Sequence, residues 1–222
     1  MTGGRLGGGI AAGKIRLAGT LGEAPFAGSA DRAALRMGEM QIRLAGVSAQ
    51  FGPTGHVTRL DVGEIGGAME KGGFAGRFDD AAGQIANVPL LLSHAAGDWR
   101  LAGARLAITG AINVSDSADV PRFRPLRAGD VQLSLDGGAI LATGALVEPV
   151  HGVSIADVSI THRLGDGTGS ASFTVPGIVF GKGFQPDDLT PLTFGVIADA
   201  KGDLSGEGRI DWSSQGVTSG GT

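Results

Sequence analysis

The chain has 222 residues, of which 41 are Gly, 42% are hydrophobic and 18% are charged. So much Gly excludes a long helical bundle, and so few charges with so many apolar residues exclude a disordered chain. The formal net charge of −4, with no basic cluster, excludes nucleic acid as a partner, and the lack of Cys excludes disulfides and thiolate chemistry.

The dominant sequence pattern is an alternation of apolar and polar residues, interrupted by Gly, Asp or Pro about every ten residues. It predicts ten or more antiparallel strands, each with one apolar and one polar face. In chain order the predicted strands cover residues 14–21, 40–44, 58–62, 99–108, 130–136, 153–164, 169–175, 194–200 and 209–212.

Helical segments are predicted to be few and short. The Ala-rich and Arg-rich stretch 27–37 is interpreted as a short helix, and residues 186–192 as a turn. No linker rich in Pro or Ser divides the sequence, so residues 1–222 are predicted to form a single continuous β region.

No local motif assembles a catalytic or metal site. Gly8, Gly13 and Lys14 have the spacing of a phosphate-binding loop, but Ile15 stands where a Ser or Thr is needed. The four His residues have no partner at metal-ligand spacing, and His162 is expected to be a surface or rim residue. The sequence therefore predicts neither an enzyme nor a protein with a cofactor or metal ion.

The C-terminal part carries a resemblance to a known family. The segments that carry it are 176–180 (PGIVF), 184–192 (FQPDDLTPL), 195–202 (GVIADAKG) and 206–212 (GEGRIDW). In order and spacing they resemble the C-terminal region of YdbH-type proteins, within the AsmA-like group of Gram-negative envelope proteins.

The resemblance implies a long, twisted, mainly antiparallel sheet curled lengthwise into an apolar groove. It further implies that the chain is a fragment of a periplasmic protein anchored in the inner membrane. Such proteins conduct phospholipids towards the outer membrane, so the expected partners are phospholipid acyl chains, the remainder of the same chain and a small outer-membrane lipoprotein. Residues 216–222 are expected to form an unfinished edge strand that pairs with one of these protein partners.

Within such a groove, one apolar face of the predicted strands would contact lipid. The residues expected to line it are Ile15, Leu17, Ile42, Leu44, Leu101, Leu106, Val131, Leu133, Leu135, Phe173 and Val175. Glycines within the apolar alternation are expected to leave room for an acyl chain, namely Gly19, Gly76, Gly103 and Gly144.

Two other architectures remain open from the sequence alone. The same apolar residues would also fill the closed core of a β-sandwich or barrel. A structural or adhesive β-solenoid of the passenger type would likewise be rich in Gly and free of Cys, although the strand spacing here is irregular.

Overall fold

The structure is a computed structural model and describes residues 9–21, 23–36, 40–53, 57–86, 88–121, 123–149, 154–179, 203–213 and 215–221. These residues form strands and turns, with no helix among them. The strands are β1 (Gly9–Ala12), β2 (Ile15–Leu21), β3 (Ala24–Arg36), β4 (Gln41–Phe51), β5 (Thr58–Glu70), β6 (Gly73–Gln84), β7 (Leu90–Ala102), β8 (Arg105–Asp116), β9 (Leu126–Asp136), β10 (Ala139–Val147), β11 (Ser154–Arg163), β12 (Gly169–Val179), β13 (Asp203–Ser213) and β14 (Gly216–Gly221).

All the described strands belong to one antiparallel sheet in which neighbours in sequence are neighbours in space from β3 to β14. Both β1 and β2 pair with β3, and β14 pairs with β13. This order confirms the prediction of a long antiparallel sheet. It excludes the β-solenoid, because a solenoid stacks its strands in parallel coils.

Two predicted elements differ from the structure. The helix predicted over residues 27–37 is wrong, because residues 24–36 are strand β3, which pairs with β2 on one side and β4 on the other. The predicted strand 99–108 is a hairpin that turns at Gly103, where φ is +61°. The predicted turn at 186–192 and strand at 194–200 lie outside the described residues.

Irregular pairings lie near the middle of most strands and align from one strand to the next. Gly46, Asp80, His94 and Asp157 have positive φ values between 49° and 60°. The register shifts near these positions between β6 and β7, between β7 and β8, and between β10, β11 and β12. A β-bulge bends and twists its strand, so this line of bulges, here called the crease, curves the whole sheet.

The sheet rolls up so that the two ends of distant strands meet. Thr58 lies at the start of β5 and His162 at the far end of β11, yet Thr58 Oγ1 lies 3.2 Å from His162 Nε2. Near this contact, Glu23, in the turn before β3, approaches Gly165, in the turn after β11. The start of the N-terminal strands therefore rests on the end of the C-terminal strands, along a line here called the seam.

The width of the roll follows from the sheet geometry. Along the cross-strand register, His162 is level with Met69 of β5, eleven residues beyond Thr58. With about 3.3 Å per residue and about 4.8 Å per strand, the path from Thr58 to His162 is roughly 46 Å, which corresponds to a tube about 15 Å across. This width is comparable to that of a small barrel, which side chains or one slender ligand can fill.

Candidate functional site

The face of the sheet that turns inward is here called the inner face, and it carries the apolar residues of the alternation. Val62, Ala81 and Ala95 form one buried cluster on it. Val114, Leu126, Ile155 and Val158 form another, and Ile112 packs against both. Phe173 packs against the second cluster as well.

Cross-strand pairing also aligns other residues of the inner face, most of them apolar, into continuous rows. One row crosses ten strands, with residues paired in the order Ile42, Gly67, Gly76, Trp99, Ile108, Leu133, Ala142, Ile160, Ala171 and Ile210. The neighbouring row runs through Phe74, Leu101, Leu106, Leu135, Ile140, His162, Gly169 and Trp212.

The register and the packing place all eleven residues predicted to line a groove on the inner face. Most are half-buried, but Leu17 is 64% exposed and Leu101 is 37% exposed, whereas Val175 is only 2% exposed. Seven of them lie above the crease, on the side towards the β7–β8 turn, and belong to neither buried cluster: Ile42, Leu44, Leu101, Leu106, Val131, Leu133 and Leu135.

The glycines of the inner face do more than leave open space, which corrects the sequence interpretation. A Cβ atom at Gly19 would touch Phe26, and one at Gly76 would collide with the backbone of Gly66 and Gly67. Gly103 lies in a turn. Of the four glycines singled out from the sequence, Gly144 alone would meet its neighbours at ordinary contact distance.

Aromatic rings instead lie against glycines of nearby strands: Trp99 on β7 reaches across β6 to β5, whereas Trp212 and Phe173 contact the adjacent strand. Trp99 packs on Gly67, and its indole Nε1 donates a hydrogen bond to the carbonyl oxygen of Gly66 over 3.1 Å. Trp212 packs in the same way on Gly169, and Phe173 packs on Gly208. These contacts fix the aromatic rings flat along the inner face and give the glycines a structural role.

The opposite face, here called the outer face, is polar and carries the charged side chains of the alternation. Arg77 pairs with Asp98 over 3.5 Å and Arg100 with Glu70 over 3.8 Å, all four side chains being more than half exposed. One cross-strand row continues from Asp98 through Thr109, Gln132, Thr143, Ser159 and Ser172. The sheet is therefore apolar inside and hydrated outside.

The part of the chain that the structure describes contains no group of three or more metal-ligating side chains. A depression of about 1010 Å³ lies over β1 and β3 to β7, and one of about 710 Å³ lies over the ends of β8 to β13. Both mix apolar and charged residues, for example Ile42 with Arg43 in the first and Ile140 with Arg209 in the second.

His162 is a feature that the sequence interpretation placed wrongly. It is not a surface residue, because it is only 1% exposed and lies between Thr58 and Trp212. Its burial depends on Thr58, which is 104 residues away in the chain, so no local sequence signal could have revealed it.

The fold and the two faces define a class of protein, one in which a long antiparallel sheet rolls around its own apolar face. The family model described as "YdbH-like: Intermembrane phospholipid transport protein YdbH" matches residues 4–222. The chain belongs to the YdbH-like family, whose role is phospholipid transport between the membranes of the cell envelope. No curated protein and no solved structure matches the chain.

The described residues include no helix that is both long enough and apolar enough to cross a bilayer.

Proposed function

We propose that this chain is a segment of a periplasm-spanning protein that conducts phospholipids between the inner and outer membranes through its rolled inner face. The observation that carries the proposal is the set of seven half-buried or exposed apolar residues above the crease, which belong to neither buried cluster. They lie on strands β4, β7, β8 and β9, in the middle of the sheet. Together they offer a hydrocarbon chain a continuous apolar surface.

The energetics favour acyl chains as the ligand of this surface. Each methylene group removed from water gains about 0.8 kcal/mol, so a chain of ordinary length is held without a single polar contact. The hydrated outer face keeps such a complex in solution while the lipid moves along the inner face. A roll about 15 Å wide between backbones has room for one acyl chain between short side chains.

The remaining predicted residues extend this surface towards the two ends of the sheet. Ile15 and Leu17 lie on β2, at the N-terminal edge, where Leu17 is largely exposed. Phe173 and Val175 lie on β12, near the C-terminal edge. Together the eleven residues mark a path for lipid from β2 to β12.

The two edges of the sheet are where the path would continue. We propose that residues 1–222 form one uninterrupted part of a longer periplasmic protein, whose other segments include an inner-membrane anchor. Strand β14 pairs with β13 through residues 216–221, and its side chains are exposed. A further segment of the protein, or a small outer-membrane lipoprotein, would add its strand there and extend the inner face.

Native mass spectrometry of the chain purified from cells tests this proposal. We expect phospholipid to co-purify with the parent chain and with the Gln132→Lys variant, whose substitution lies on the outer face. Leu133→Lys, one residue further on, places a charge on the inner face and should remove most of the lipid, because burying a charge against hydrocarbon is costly. A lipid-free parent chain, or equal lipid in both variants, would favour a purely structural domain whose inner face is a closed core.

A further inference from the structure

The seam is held by a chain of hydrogen bonds between buried side chains. The indole Nε1 of Trp212 lies 3.1 Å from His162 Nδ1, and His162 Nε2 lies 3.2 Å from Thr58 Oγ1. Thr58 Oγ1 also accepts a hydrogen bond from the backbone N–H of Ala86 over 3.1 Å. This network connects β13 and β11 to β5, across the interior of the roll.

The network determines where the proton of His162 resides. An indole N–H can only donate, so Nδ1 must accept and must carry no proton. The neutral imidazole then carries its proton on Nε2 and donates it to Thr58. A protonated His162 would present N–H groups to both sides, so its Nδ1–H group would face the N–H group of Trp212 and the bond between them would be lost.

We infer that Thr58, His162 and Trp212 form a latch that holds the roll closed while His162 is neutral and releases the seam when His162 is protonated. The bonds of the latch join strands that are not neighbours in the sheet, and no backbone ladder between the described strands closes the roll at this position. Loss of the latch therefore leaves the sheet itself intact and lets the two ends of the roll separate. The inference concerns the seam and does not rest on the proposed function.

The surroundings of His162 favour its neutral form. Burial lowers the pKa of His162, and two weaker effects oppose it: the negative charge of Asp166, in the turn after β11, and a hydrogen bond with the backbone of Thr168. Arg59 on β5, Arg163 on β11 and Asp211 on β13 neighbour the latch residues along their strands but project from the outer face. The carboxylate of Asp166 is itself held by Thr168.

Distance measurements between spin labels can follow the opening of the seam, because the chain contains no Cys. Labels attached at Arg59→Cys and Arg163→Cys would lie on the outer face, on either side of the seam. We expect one short, narrow distance distribution at about pH 8 and a longer, broader one at about pH 5, below the ordinary pKa of His. An unchanged distribution over this range would overturn the inference.

Two variants in the labelled background separate His162 from other titrating groups. His162→Gln keeps a donor and an acceptor but cannot become charged, so the seam should stay closed at about pH 5. His94→Asn removes an exposed His on β7 and keeps a residue that tolerates the positive φ at this position, so this variant should open like the parent chain. If His162→Gln opens over the same pH range as the parent chain, His162 is not the sensor.

A third variant keeps the inference testable if Gln does not fit the site. Trp212→Phe removes the indole donor and with it the bond that favours an unprotonated Nδ1, so the opening should move to higher pH. An opening transition at the same pH as in the parent chain would show that Trp212 does not hold His162 neutral.

Discussion

Glycine pairs on the inner face bring neighbouring strands into unusually close contact, and Gly97→Ala is the sharpest way to test this. Gly97 of β7 lies directly opposite Gly110 of β8. A Cβ atom at Gly97 would lie 2.7 Å from the Gly110 Cα atom and closer still to the carbonyl oxygen of Thr109. Both obstacles are backbone atoms, so no side-chain rotation can relieve the overlap.

The cost can be worked out from this geometry. An ordinary carbon–carbon contact needs roughly 3.5 Å, so β7 and β8 must separate locally by close to 1 Å. Such a shift weakens one or two ladder hydrogen bonds, at about 0.5–1.5 kcal/mol each, and adds about 1–3 kcal/mol of overpacking. We expect Gly97→Ala to lower the free energy of unfolding by about 2–4 kcal/mol.

Gly129→Ala is the matched control. Gly129 lies on the next strand, β9, and apart from its two neighbours in the chain no atom would lie within 4 Å of a Cβ atom there. That substitution should be neutral or stabilise the protein by about 0.4–1 kcal/mol, since it restricts only the unfolded chain. Urea unfolding followed by circular dichroism gives both values. If the two variants have the same urea midpoint, β7 and β8 do not approach each other as closely at Gly97 as the structure shows.

Other predictions concern the core, the ring on the inner face and pH. Val114→Ala, in a buried cluster, should cost about 2 kcal/mol in urea unfolding, whereas Val147→Ala, 40% exposed on β10, should cost less than about 0.5 kcal/mol. Trp99→Phe loses the hydrogen bond to the Gly66 carbonyl oxygen and should lower the free energy of unfolding by about 1 kcal/mol. Trp99→Ala also loses the ring, so an equal cost for the two variants would count against the packing of the ring. Folding lowers the pKa of His162, so below about pH 6.5 the unfolded chain binds more protons than the folded one. The free energy of unfolding should therefore decrease as the pH is lowered from about 6.5, by at most about 1.4 kcal/mol per pH unit, until the lowered pKa is passed. The pKa of Asp166 is lowered by its hydrogen bonds to Thr168, so the stability that its carboxylate contributes is lost only at more acidic pH, below its ordinary pKa of 3.8. A free energy of unfolding that stays constant between about pH 8 and pH 5 would contradict the assignment to His162.

The alternation of apolar and polar residues predicted the fold class because each strand buries one face. It underestimated strand length, because the bulges of the crease break the alternation. In β4, Leu44 and Val47 share the inner face although they are three residues apart, since Gly46 between them has a φ of +60°. A period-two pattern therefore ends at residue 44, while the strand itself continues to Phe51.

Strand β3 shows how sheet pairing overrides local propensity. Its Ala, Arg and Leu residues favour a helix in isolation. Pairing on both sides satisfies the backbone of β3 along most of its length, and Ala30 is buried between its neighbours Ile15 and Val47. The sequence does not reveal this outcome, because it depends on strands that form elsewhere in the chain.

The inner-face residues were accessible to sequence reasoning, whereas the seam was not. Leu133 and Phe173 lie in regular alternation, so their face follows from their neighbours. The contact of His162 with Thr58 arises only when the whole sheet rolls up. The same holds for the aromatic rings on Gly169 and Gly208, which depend on the register between β12 and β13.

A photocrosslinking scan along β9 in living cells tests the central claim most directly. A photoreactive residue would replace each position from 131 to 136 in turn, so that inner-face and outer-face sites alternate on one strand. The account predicts phospholipid adducts at Val131, Leu133 and Leu135 and none at Gln132, Ser134 and Asp136. Adducts to protein alone, or lipid adducts without this alternation, would contradict a lipid path along the inner face.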